Sequence, residues 1–265
     1  MLLGAMRTHV GGVPVEVTRP ESAKFRHPLL LVHGLWTGSW VWEPVATYLA
    51  HRGWESWAPS LREVADLAAR TRAAEAVARA LPEPPVVLTH DAGLVIAAPL
   101  VAAGAAAAIA ALAPVVGTGG GAGRGLFAWP QFWRARMLGR SVAPPRGAGA
   151  AAYLGRAIGS RDRLRPDSAP VFRSLASGHV GLHPSTAVPG LVIGGGDDAI
   201  VSERDAREIA ERLGWEHRIL AGRGHFALLE ADWESLADEV HRWIVRTLGA
   251  DLLLFLDDDS GADPL

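Results

Sequence analysis

The chain has 265 residues, 49% of them hydrophobic and 20% charged, enough apolar side chains for a full core in one large domain or two modest ones. With 26 Lys and Arg against 28 Asp and Glu, the formal net charge is -2 and no block of positive charge stands out, which argues against a nucleic-acid partner held by phosphate neutralisation. Cysteine is absent, so thiol nucleophiles, thiolate metal sites and disulfides are excluded, in keeping with a reducing compartment.

The start, MLLGAMRTHVGG, lacks the basic stretch and long apolar core of a secretory signal. The longest apolar run, 105–116, is Ala-rich and far shorter than the roughly 20 residues of a membrane span. The expectation is a soluble cytoplasmic protein without a membrane partner.

Taken in order, short β-branched or leucine-rich runs alternate with longer segments of helical spacing, the pattern of an α/β protein with a mostly parallel sheet. Residues 12–18 read as a strand of an antiparallel start, 28–32 as a buried strand ending at His33, 43–52 as a helix and 55–58 as a strand. Over 62–81 the apolar positions Val64, Leu67, Ala74, Val77 and Leu81 fall on one helical stripe, and Pro82 ends it. A buried strand over 85–89, a helix over 92–103 and a strand over 109–116 follow.

Residues 117–189, rich in Gly, Pro and Arg and carrying Trp129, Trp133 and Tyr153, break the alternation and read as an insertion over the sheet. It resumes with a strand over 191–194, a helix over 203–213, a strand over 217–220, and a last helix with Leu229, Trp233, Leu236, Val240 and Trp243 on one face. The expected organisation is a core of 1–116 and 190–250, a cap of 117–189 after the sixth strand, and a tail of 251–265 that frays or forms a small packing patch.

Three loops follow the carboxyl ends of strands, where open α/β sheets place their binding crevice. THDAG (89–93) turns from strand into helix at once and puts Asp91 at a helix N-terminus, where backbone N–H groups favour a carboxylate. GGDDAIV (195–201) carries Asp197 and Asp198, and GHF (224–226) carries His225. Singly these read as a helix N-cap, a glycine-aspartate turn and another cap. Together they follow the chain order nucleophile, acid, base.

With HGLWTGSW (33–40), these motifs resemble the α/β-hydrolase superfamily over nearly the whole chain. The resemblance implies an oxyanion loop at His33–Trp40, a nucleophile elbow at Asp91, an acid loop and a catalytic His225. Aspartate in place of the usual serine is similar to the branch of haloalkane dehalogenases, haloacetate dehalogenases and epoxide hydrolases. A carboxylate can displace a leaving group at saturated carbon and leave a hydrolysable ester, whereas its attack on an ordinary ester would give a reactive anhydride. By resemblance, Asp91 attacks carbon, His225 activates water, and Asp198, three residues before Val201, orients His225 while Asp197 serves the turn. The backbone N–H groups of Leu35 and Ala92 would hold the oxyanion, each such donor contributing about 3 kcal/mol in the transition state.

The chain departs from the branch around the leaving group. Ala92 and Leu35 occupy the positions where haloalkane dehalogenases place halide donors, leaving Trp36, Trp129 and Trp133 to supply donors or pocket walls. Epoxide hydrolases use two cap tyrosines; here only Tyr48 and Tyr153 exist, Tyr48 on a core helix and Tyr153 in the insertion, with His179 or His183 a conceivable second acid. Haloacetate dehalogenases hold the substrate carboxylate with arginines near the elbow; 91–103 contains none, which leaves Arg124, Arg134 and Arg136. Thr89 is larger than the elbow prefers, and the loop APSLREV lacks the usual Asp and glycines.

The expectation is a cofactor-free, metal-free hydrolase of a small organic molecule through an Asp91 alkyl ester, epoxide opening ahead of dehalogenation, with homo-oligomerisation left open. A non-covalent lyase or cyclase with Asp91 as general base, and a ligand-binding pseudo-enzyme, are the alternatives.

Overall fold

The computed structural model describes residues 5–117, 126, 139, 141–177, 182 and 188–253. The chain opens with a hairpin of β1 (Ala5–Val10) and β2 (Val13–Thr18). Gly11 and Gly12 between them have φ of 60° and 81°, the pair of left-handed residues that matches a two-residue turn to the twist of its strands.

Next come β3 (Leu29–Val32), α1 (Glu43–His51), β4 (Ser56–Pro59), α2 (Leu67–Ala80), β5 (Val86–His90), α3 (Gly93–Ala102) and β6 (Ala108–Leu112). Between β6 and the next sheet strand lie β7 (Ser141–Val142), α4 (Gly147–Leu154), a 3₁₀ segment over Gly155–Arg163, β8 (Asp167–Ser168) and α5 (Ala169–Ala176). The chain returns to the sheet with β9 (Gly190–Gly195), α6 (Glu203–Leu213), β10 (Glu216–Leu220) and α7 (Trp233–Leu248). The eight-stranded sheet has the order β1-β2-β4-β3-β5-β6-β9-β10, antiparallel from β1 to β4 and parallel from there on. This is the α/β-hydrolase fold, a mostly parallel sheet flanked by helices.

Every residue of β3, β5, β6 and β9 is buried, which is why these strands read as near-continuous apolar runs, broken only by Thr89 and His90 at the end of β5, rather than alternating ones. Helix α2 packs on α3, and α1 on α7. The best-marked helix is α6: Ser202 and Asp205 form a reciprocal capping box, and Gly214 closes the helix at φ 70°.

Two expected boundaries move. Helix α2 begins at Leu67 rather than 62 because the Asp66 side chain accepts the Ala69 N–H at 2.8 Å and caps it there. Strand β6 ends at Leu112 rather than 116, because Ala113 turns left-handed at φ 45° and Val115 donates to the Asp91 carbonyl at 3.2 Å, bringing the chain over the sheet's carboxyl edge. At the start of the expected tail, Leu252 is buried, its carbonyl accepts from Arg26 N at 2.9 Å, and Leu253 pairs with Phe25. Among the described residues no helix is long and apolar enough to cross a membrane.

Candidate active site

Asp91 sits between β5 and α3 with φ 55°, a left-handed conformation that costs a residue with a Cβ about 1–3 kcal/mol. Its own backbone is tied down, N to Leu112 O at 3.1 Å and O to Val115 N at 3.2 Å. The sharp turn works because its neighbours are glycines. A Cβ on Gly34 would fall 2.3 Å from the Asp91 Cβ, and one on Gly93 would fall 2.3 Å from the Val32 carbonyl oxygen. Thr89 is accommodated, but its hydroxyl is buried with no hydrogen-bond partner among the described residues, a loss of about 1–3 kcal/mol.

The β9 and β10 loops bring the other groups. Asp198 Oδ2 lies 2.9 Å from His225 Nδ1, while its Oδ1 accepts the N–H groups of Ile200 at 2.7 Å and Val201 at 2.9 Å. Asp197 points outward to Arg156 at 3.3 Å, so of the two neighbouring carboxylates Asp198 is the one that meets the histidine. The His225 loop is held by Glu230, which is buried and accepts the Gly224 N–H at 2.9 Å. His225 Nε2 is buried, has no hydrogen-bond partner among the described residues, and faces Asp91 Oδ2 at 3.6 Å.

The two oxygens of Asp91 have different surroundings. Oδ1 accepts the backbone N–H of Ala92. Oδ2 accepts the Tyr153 hydroxyl at 2.5 Å and is the oxygen facing His225. The same hydroxyl lies 3.0 Å from the Leu35 carbonyl. One phenol proton cannot serve both acceptors fully, and the shorter, charge-assisted contact to the carboxylate takes it. Burial, and then the Asp91 charge, push the Tyr153 phenol well above its ordinary ionisation range.

Burial disfavours a charged His225, yet the charge and hydrogen bond of Asp198, together with Asp91, outweigh it and push the pKa up to about 10. Burial likewise opposes the Asp198 anion, and His225 with the two backbone donors overcomes it and lowers the carboxyl below its usual range. These shifts favour a protonated His225, hydrogen-bonded to Asp198 and facing the Asp91 side chain. His90, lowered to about 4 by burial and by His225, is neutral. Its Nε2 lies 2.9 Å from the His225 carbonyl and must carry the proton, because a carbonyl only accepts. His90 Nδ1 has no partner among the described residues, and His90 lines a small cavity that His225 also borders.

A model of the alpha/beta hydrolase family matches residues 29–239, which spans every element just described around Asp91, Asp198 and His225. The chain belongs to the alpha/beta hydrolase family. Among solved structures, a soluble variant of monoglyceride lipase from Saccharomyces cerevisiae superposes on this alpha/beta hydrolase with a TM-score of 0.69 at 14% identity, covering 93% of this chain and 95% of that one. An esterase from Thermogutta terrifontis gives 0.67 at 16% identity over 91% and 99%, and an epoxide hydrolase from Vigna radiata 0.61 at 17% over 92% and 98%. At these identities the likeness is one of fold. A sequence comparison with curated proteins gave no significant match.

In this alpha/beta hydrolase the loop expected to hold the oxyanion, from His33 onward, is fixed by contacts of its own. His33 is a strut: Nδ1 donates to the Gly34 carbonyl at 2.9 Å and Nε2 accepts the Leu61 N–H at 2.9 Å. Burial lowers it to about 4, so it stays neutral. The APSLREV loop thus supports His33 through Leu61. Leu35 is buried, and the contact it makes over the site is through its carbonyl, to Tyr153. Trp36, expected as a substrate-binding residue, is fully buried, packs edge-on to Tyr153 at 5.1 Å and spends its indole N–H on the Val142 carbonyl at 3.0 Å. Its ring also packs on Phe172 at 5.0 Å, so the structure places it as packing beside Tyr153 with its N–H committed to Val142.

Tyr48 lies on α1 against Trp233, with its hydroxyl 3.4 Å from Asp238, away from Asp91. Trp129, Trp133, Arg124, Arg134, Arg136, His179 and His183 lie outside the described residues. His90 was expected only as part of the THDAG motif, with no role of its own, and Glu230 was not expected at the site. Each had a signal, since a histidine ending a buried strand and a lone carboxylate six residues past a loop glycine both need partners.

Proposed function

We propose that this chain is a cofactor-free hydrolase of a small organic molecule, acting through an alkyl ester on Asp91, with an epoxide as substrate and the segment between β6 and β9 as its cap. The observation that carries this reading is the division of labour at Asp91: Oδ1 rests on a backbone N–H while Oδ2 faces a phenol and an imidazole.

In the first step Oδ2 attacks an epoxide carbon, the carbon–oxygen bond breaks, and Tyr153 protonates the departing oxygen, leaving a phenolate. The ester discharges Asp91 and so removes one of the charges that hold the proton on His225. His225, its ring centroid 5.2 Å from that of Tyr153, returns a proton to the phenolate and becomes neutral. The neutral ring then takes a proton from water, and hydroxide adds to Cγ of Asp91. Charge gathers on Oδ1, where the Ala92 N–H already points, the placement that electrostatic stabilisation of an oxyanion needs. The Cγ–Oδ2 bond breaks, Oδ2 leaves in the product, and the new carboxylic acid passes its proton to the product alkoxide. Asp91 is a carboxylate again and His225 an imidazolium.

Epoxide opening is favoured over dehalogenation because a phenol at 2.5 Å can supply a proton, while the Trp36 N–H is committed to Val142. The test is His225→Ala, which blocks the second step, incubated with a panel of epoxides and haloalkanes and read by intact mass, with Asp91→Ala as control. A gain of one whole epoxide, mapped to Asp91, is expected. A gain short of a hydrogen halide assigns dehalogenation, and binding without any adduct assigns Asp91 to general-base chemistry.

A further inference from the structure

Arg70 on α2 and Asp167 in β8 form an ion pair with both side chains fully buried. Asp167 is saturated: Oδ1 accepts from Arg70 Nη2 and from the Ser168 N–H at 2.6 Å, and Oδ2 accepts the Trp36 N–H at 2.8 Å with Arg70 Nη1 at 3.5 Å. Arg70 Nη2 also reaches the Arg62 carbonyl at 2.8 Å.

Trp36 is left-handed at φ 55°, and its three polar groups all go to the cap. Its N–H goes to Asp167, its carbonyl accepts from Arg165 N at 3.0 Å, and its indole N–H donates to Val142. The residue before it, Leu35, offers its carbonyl to the Tyr153 hydroxyl that lies on Asp91.

A buried ion pair is about as stabilising as apolar residues of similar volume, so the fold does not need this one. What apolar residues cannot supply is an acceptor for the Trp36 N–H at the bend of the oxyanion loop. We propose that Asp167, fixed by Arg70, is a positioning residue: by accepting the Trp36 N–H it holds the His33–Trp36 loop and, through Leu35 and the Trp36 ring, sets Tyr153 over Asp91. Seating of the cap and assembly of the site are then one event. This rests on the roles of Asp91 and Tyr153 proposed above.

The test compares two double variants that both remove the buried charges. Arg70→Met with Asp167→Asn keeps an amide oxygen for the Trp36 N–H; Arg70→Met with Asp167→Leu does not, and Asp167→Ala makes the same comparison should Leu not fold. The chain has 2 tyrosines, so fluorotyrosine labelling gives two fluorine NMR signals that Tyr48→Phe assigns. The Asn variant is expected to keep the Tyr153 signal and the rate of ester formation on Asp91 in a His225→Ala background. The Leu variant is expected to fold but to shift or broaden the Tyr153 signal alone and to form the ester ~100-fold more slowly, the scale of loss for a small misplacement of a reacting group. Identical Tyr153 signals and identical rates in the two variants overturn the proposal. If the signals separate while no variant, and not even the parent with Asp167 intact, forms an ester, the positioning role stands and the covalent reading falls.

Discussion

The hydroxyl of Tyr153 lies 2.5 Å from Oδ2 of Asp91, joining a residue of the inserted segment to the carboxylate at the elbow of the core. The contact places a proton donor on the oxygen that faces His225, and it leaves the other oxygen on the backbone. Tyr153→Phe therefore slows ester formation from an epoxide by ~10²–10⁴, the usual contribution of a positioned general acid. A haloalkane needs no proton on its leaving group, so any ester formed from one loses little. Single-turnover rates for the two substrate types on Tyr153→Phe make the comparison.

Asp198 and Asp197 are neighbours with opposite surroundings, one hydrogen-bonded to His225 and the other paired with Arg156 at the surface. Asp198→Asn is expected to slow ester hydrolysis by ~10⁴, since the amide cannot stabilise the imidazolium or hold its tautomer. Asp197→Asn is expected to leave it within about twofold, as for most exposed surface changes. Equal effects would contradict the assignment.

Gly93→Ala places a Cβ 2.3 Å from the Val32 carbonyl oxygen, a backbone atom that cannot step aside. A loss of about 3 kcal/mol or more in unfolding free energy is expected, read by denaturant titration. Gly159→Ala, whose Cβ meets nothing within 4 Å, is the control and should be nearly neutral.

The buried histidines give stability a defined pH dependence. His225 is raised from 6.5 to about 10 when folded, so its contribution is complete below 6.5 and is lost as pH rises toward 10. His33 and His90 are lowered to about 4, so the folded rings stay neutral where unfolded ones take protons, and the cost grows as pH falls from 6.5 to about 4. Denaturant midpoints should peak near pH 6.5. In His225→Gln the alkaline decline should flatten while the acid decline remains; an unchanged alkaline decline would contradict the protonated resting state.

What could be read from the sequence depended on whether a residue's partner lay close in the chain or followed a regular period. The runs at β3, β5, β6 and β9 announce a sheet covered on both faces, and Ser202, Asp205 and Gly214 mark both ends of α6 from within a dozen residues of chain. Asp91, Asp198 and His225 were legible because each follows a strand end, where the sheet's geometry gathers side chains that are far apart in sequence. Tyr153 was expected in the insertion as a candidate acid, but its contact with Asp91 was not legible, because 62 residues separate the two and the insertion has no period that would aim it. Arg70 did leave a trace: it shares the apolar stripe of α2 with Leu67, Ala74 and Val77, and a charge there demands a buried partner. Asp167, 97 residues away in a polar stretch, gave no matching sign.

The covalent role of Asp91 is tested most directly by one turnover with enzyme in excess, in heavy-oxygen water. If the ester forms, the oxygen delivered to the first product comes from Asp91 Oδ2 and the heavy atom stays on the enzyme, so product without label and a labelled Asp91 peptide are expected. Label in the first product and none on Asp91 would mean that water attacks the substrate itself, and the covalent account would be wrong.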